Sequence, residues 1–93
     1  MLMVKLLKLV SGDDVVADVT ISGDEVILKN PLQVILTREG VAALPFMPLM
    51  KGDTLKINKS HCLIIADPND DCVNHYNEKF GGVVRPPGIQ LVQ

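Results

Sequence analysis

Val15-Val16-Ala17-Asp18-Val19-Thr20-Ile21-Ser22-Gly23-Asp24-Glu25-Val26-Ile27-Leu28 is the stretch that decides the fold. Val15, Ala17, Val19 and Ile21 alternate with Val16, Asp18, Thr20 and Ser22, the period of a half-buried strand. Ser22-Gly23-Asp24 supplies a turn, and the chain is extended again from Val26. Downstream it meets Asn30-Pro31 and resumes with Leu32, Val34 and Leu36 alternating with Gln33, Ile35 and Thr37. Proline has no N–H for a ladder, so Pro31 marks a bend, bulge or edge. One long bent strand is more economical here than two. Upstream, Val4 to Val10 is apolar around Lys5 and Lys8 and ends at the turn cluster Ser11-Gly12-Asp13-Asp14. A short helix presenting Leu2, Leu6 and Leu9 is one possibility. A strand feeding a tight turn is preferred.

Thr37-Arg38-Glu39-Gly40 closes the long strand and opens a loop. Ala42 to Met50 contains Pro45 and Pro48, which excludes a central, fully paired strand and leaves room for an irregular edge strand. Lys51-Gly52-Asp53 reads as a turn or bulge. Thr54 to Ile57 alternates again, Asn58-Lys59-Ser60 turns, and Cys62-Leu63-Ile64-Ile65-Ala66 predicts a short, buried final strand. Asp67-Pro68 places a capping residue before a first-turn proline, with Asp70 and Asp71 following where the helix dipole favours negative charge. Cys72, Val73, Tyr76 and Phe80 fall on one helical face, and Gly81-Gly82 stops the helix. The expected layout is a β-domain over 1–67, a helix over 68–82 and an extended tail over 83–93.

Composition narrows the class. Hydrophobic residues make up 47% of the 93-residue chain and aromatics only 3%, so Val, Ile, Leu and Met must build the core. A chain this short buries only about 60–65% of the surface its unfolded form exposes, and association with further copies is a common remedy. Nine basic against eleven acidic residues give a net charge of −2. Nucleic-acid binding along an extended backbone normally calls for a basic surplus, so any such binding here must be local. Two cysteines make no disulfide framework, no signal peptide is visible, and no stretch nears the ~20 apolar residues of a membrane span. A reducing cytoplasm is the expected setting.

Leu9-Val10-Ser11-Gly12-Asp13-Asp14-Val15-Val16-Ala17-Asp18-Val19 resembles the opening of the first Sm motif. Gly23-Asp24-Glu25-Val26-Ile27-Leu28 resembles that motif's Asp-containing turn and the apolar strand beyond it. The match covers roughly Leu6 to Leu36, with weaker agreement to Ala66. Phage-encoded Sm-like proteins resemble this chain more than cellular ones do. The resemblance implies a mostly-β, five-stranded, SH3-like bent-sheet barrel carrying one C-terminal helix. It also implies a homo-oligomeric ring of about five to seven copies, in which the fourth strand of one copy pairs with the fifth of the next. Departures are evident. Ile27 stands where the family's base-reading asparagine usually lies, and Val26 where a base-stacking residue often lies. The second Sm motif has two candidate registers, Met50-Lys51-Gly52-Asp53-Thr54-Leu55 and Ile57-Asn58-Lys59-Ser60-His61-Cys62. The second is favoured, because the first leaves Cys62 to Ala66 as a surplus strand.

Lys29, Asn30, Lys59 and His61 are the candidate contacts for short single-stranded RNA, weighed against ordinary turn and surface roles. Single strands call for stacking platforms as well as donors, and the only aromatics are Phe46, Tyr76 and Phe80. His61, Cys62, Cys72 and His75 form a conceivable zinc set, but both cysteines fit apolar packing better. The acids Asp67, Asp70 and Asp71 are accounted for by helix capping, and Met47 and Met50 by packing. No catalytic triad, phosphate loop or zinc-peptidase pattern occurs. The expectation is therefore a protein without enzymatic activity, cofactor or metal. Its partners would be other copies of itself and RNA or, alternatively, a protein held by the C-terminal helix and tail.

Overall fold

The computed structural model describes residues 3–80, so Gly81-Gly82 and the tail expected over 83–93 lie outside the described residues. The chain is mostly β: β1 (Val4–Leu9), β2 (Asp14–Ser22), β3 (Glu25–Thr37), β4 (Gly40–Pro45), β5 (Thr54–Asn58) and β6 (Cys62–Ala66) precede one helix, α1 (Asp70–Phe80). All pairings are antiparallel, in the order β4-β3-β2-β1-β6, with β5 also on β3. Among the described residues six strands form where five were expected. The additional one is Gly40–Pro45, whose prolines sit at and beyond its end, so Leu32↔Pro45 through Thr37↔Gly40 pair without interruption.

Strands β4 and β5 lie end to end along the edge of β3 opposite β2. Glu25 to Lys29 pair with β5 and Leu32 to Thr37 with β4. Residues 46–53 make an excursion between them that is rooted at the bend of β3. The Phe46 N–H donates to the Pro31 carbonyl at 3.0 Å, and the Asn30 N–H to the Asp53 carbonyl at 2.6 Å. β3 is thus a single bent strand, as its proline suggested.

The bend is a bulge. Asp18 faces Lys29 but Val16 faces Leu32, so Asn30 and Pro31 on β3 together oppose Ala17. Asn30 takes the left-handed conformation at φ 52, which asparagine tolerates better than most residues, and Pro31 supplies no donor. One extra residue reverses which face β3 presents. Before it, Val26 and Leu28 join Leu7, Leu9, Val15, Ala17 and Val19 in the inner cluster, flanked by Leu55, Ile57, Cys62 and Ile65. After it, Leu32 joins Val16 and Tyr76 on the other face, with Val4, Leu6, Val34 and Ala43 around them. β1 reads as a nearly continuous apolar run because both its faces are covered.

Helix α1 covers that second face through Cys72, Tyr76 and Phe80, spaced four apart. It begins two residues later than Pro68. Asn69, not Asp67, is the cap, its Oδ1 accepting from the Cys72 N–H at 2.8 Å. Asp67 instead pairs with Lys5. Asp70 and Asp71 do occupy the first turn.

The final strand corrects another expectation. Among the described residues β6 pairs only with β1, and of its side chains Cys62 and Ile65 turn toward the core. Leu63 and Ile64 are 63% and 57% exposed, so among the described residues β6 is an open edge strand and not a buried one.

Candidate functional site: two open edges and a polar turn

The two ends of the sheet carry the most exposed apolar surface that is organised by secondary structure. At one end stands β6, Cys62-Leu63-Ile64-Ile65-Ala66, with no charge and no proline. At the other stands the β3–β4 hairpin, where Leu36 (82% exposed) directly opposes Val41 (67% exposed). Leu44 is exposed on the opposite face of the same edge strand. Open strands that lack charge or proline are templates for pairing with another chain. The uninterrupted apolar run of β6 was visible in the sequence. Its exposure was not, because a run of that kind equally describes a buried strand.

Between β5 and β6 a short 3₁₀ turn, Lys59–His61, is held at three points. Asn58 Oδ1 accepts from the Ser60 N–H at 2.9 Å, and the Lys59 N–H donates to the Asp24 carbonyl at 2.7 Å. The Val10 N–H donates to the His61 carbonyl at 2.9 Å. This turn therefore abuts the β2–β3 turn, where Gly23 at φ +59 permits the reversal. Lys59 and His61 are exposed on it, beside Asp24.

Lys29 and Asn30 are elsewhere. Lys29 faces Thr54 at the far end of β5, and roughly 16 Å of strand separates it from the Asp24 turn. The four polar candidates consequently form two pairs, one at the turn and one at the bulge. Asn30 is also engaged through its backbone, its carbonyl lying 3.2 Å from the Tyr76 hydroxyl. Asp24 is the neighbour of Lys59 that sequence spacing did not single out.

Tyr76 is the hinge pin between helix and sheet. Its side chain is 1% exposed, and its ring meets that of Phe80 at a centroid distance of 5.0 Å. The hydroxyl accepts from the Asp18 N–H at 3.0 Å and donates to the Lys29 carbonyl at 2.7 Å, groups that lie at the register shift of the bulge. Burial pushes the phenol up to about 12. Both thiols are likewise pushed upward by burial, which disfavours the nucleophilic thiolate at Cys62 and Cys72. His61 and Cys62 flank the turn while Cys72 and His75 belong to α1. Among the described residues no three His, Cys, Asp or Glu side chains gather into a metal-binding group.

Two grooves flank α1. One of about 370 Å³ lies between its first half and β3–β4, and one of about 310 Å³ lies between its end and residues 46–53. Among the described residues no helix is long and apolar enough to cross a membrane. Compared with known proteins, the chain matches no family model and no curated protein.

Proposed function

We propose that this chain is an Sm-like protein that assembles with copies of itself into a closed ring and holds short single-stranded RNA at the Lys59–His61 turn. The observation that carries the proposal is the pair of open edges at opposite ends of one sheet. Because β4 and β5 run end to end along β3, they together take the place of a single bent fourth strand, and β6 that of the fifth. That correspondence favours Ile57-Asn58-Lys59-Ser60-His61-Cys62 as the second motif, since Met50 to Asp53 fall in the excursion between the two strands. Head-to-tail pairing of edges closes when successive copies are related by rotation, and each copy then shields its neighbour's apolar strand. A ring also repeats Lys59 and His61 around one axis, bringing together hydrogen-bond donors that a single chain presents only once.

A second function for the same ring is favoured by one observation. Tyr76, one of the three aromatics, is buried between α1 and the sheet and unavailable for stacking on bases, and Phe80 packs against it. An adaptor ring that binds protein through its C-terminal region needs no such platform.

Native mass spectrometry, followed by filter binding of U-rich and A-rich oligonucleotides at low salt, separates these outcomes. A ring that binds RNA, and binds it more weakly with Lys59→Glu, is the expected result. A ring without measurable affinity at micromolar concentration leaves the adaptor. A protein that stays monomeric at high concentration overturns both.

A further inference from the structure

The groove at the end of α1 differs from the other in where it opens. Phe80, the last described residue, is part of its wall, so the chain leaves the helix at the lip of the groove. Pro31, Leu32, Met47 and Met50 make it apolar, Asp53 is its only acid, and Lys79, whose ammonium lies 5.7 Å from the centre of the Phe80 ring, is its only base. Asp53 Oδ1 accepts from the Thr54 hydroxyl at 2.8 Å, and its carboxylate has no ion pair among the described residues.

The sequence that follows Phe80 suits this groove. Gly81-Gly82 allows a sharp reversal, Val83-Val84 is apolar, and Arg85 is the only charged side chain from Gly81 to Gln93. Five residues of extended chain reach about 16 Å, ample for a groove that begins at Phe80 itself. We propose that Val83, Val84 and Arg85 of the same chain fill the groove, the valines against Met47 and Met50 and the guanidinium on the Asp53 carboxylate. The segment thereby latches the excursion of residues 46–53, which joins β4 to β5, to the end of the helix. The latch is independent of ring assembly.

Methionine-methyl NMR on the full chain tests it, because Met47 and Met50 line the groove while Met3 lies on β1's approach and serves as the internal control. Val83→Ser/Val84→Ser is expected to shift the Met47 and Met50 methyl resonances and leave Met3 in place. Arg85→Glu is expected to move the same two signals, and the swap Asp53→Arg/Arg85→Asp to return them. Unmoved Met47 and Met50 signals in either variant overturn the proposal. Mixing labelled wild-type chain with an excess of unlabelled Val83→Ser/Val84→Ser chain identifies the source of the segment. Unchanged signals assign it to the same chain. Signals that drift to the variant positions mean that it comes from another copy, which overturns the proposal as stated.

Discussion

Replacing Tyr76 by phenylalanine removes one oxygen and isolates what the bulge costs. In the native chain that oxygen accepts from the Asp18 N–H at 3.0 Å and donates to the Lys29 carbonyl at 2.7 Å, with the Asn30 carbonyl at 3.2 Å. These groups lie where the bulge shifts the β2–β3 register, and the phenyl ring left by the substitution would keep water away from them. A part-buried backbone group left unpaired costs about 1–3 kcal/mol. One donor and one acceptor are stranded, so a loss of about 2–6 kcal/mol is expected, nearer the lower figure because both hydrogen bonds are only part-buried. A chain of this size has about 5–14 kcal/mol of stability in total. A loss of about 2 kcal/mol lowers Tm by roughly 8–16 °C. Packing against Phe80 survives the substitution, which separates hydrogen bonding from ring burial. Thermal and urea unfolding followed by circular dichroism measure the effect, at one fixed protein concentration because association adds to apparent stability. The urea midpoint should fall with m unchanged. A Tyr76→Phe protein that unfolds at the wild-type midpoint refutes the reasoning, since the bulge would then be satisfied without the phenol.

Tyr76 is the only tyrosine and there is no tryptophan, so phenolate absorbance reports it alone. Its titration is expected to centre near 12 and not at the ordinary 10. A folded-state value raised in this way gives a contribution that is complete below pH 10 and is lost as pH rises from 10 towards 12, and Tyr76→Phe should lack that component. At the bulge, Asn30→Gly should leave the unfolding midpoint unchanged or slightly raised, whereas Asn30→Ala should cost about 1 kcal/mol, because only the former is at ease at positive φ. Ile64→Lys, on an exposed position of β6, should reduce assembly in sedimentation experiments while the circular dichroism spectrum stays that of the native fold. Unchanged sedimentation would remove β6 from the interface.

Local pattern made the strands and the helix legible, and its failures were failures of long-range information. Alternation along Val15 to Ile21 located β2, yet the side on which each residue lies depends on what covers it. Val16, on the nominally polar side, is buried beneath α1, while Ile21 at the strand's end is 48% exposed. Pro31 announced a bend, but the resulting change of face in β3 follows only from the register with β2. Asp67-Pro68 satisfied every local rule for a helix start. Lys5, sixty-two residues away, claims the Asp67 carboxylate, and Asn69 caps instead. The separation of Lys29 and Asn30 from Lys59 and His61 was equally invisible, because it depends on the direction in which β5 runs along β3.

Where the helix sits bears directly on what the edges are for. A small sheet with a single helix to spend can lay it over an edge, which protects the strand, or over a face, which enlarges the core. Here Cys72, Tyr76 and Phe80 commit α1 to a face, because the bulge has turned Leu32 toward it and left polar backbone there for the phenol to satisfy. Of the two edge strands, β4 meets the helix side through Ala43, and no residue of β6 belongs to the cluster under α1. β6 has none of the local defences either, lacking lysine, proline and glycine, and it displays Leu63 and Ile64 outward. The acidic balance of the chain offers only general repulsion between copies, which falls off within about 8–10 Å at ordinary salt and does not oppose close strand pairing. In the ring proposed above, pairing of edges between copies satisfies both the open backbone groups and the apolar side chains beside them.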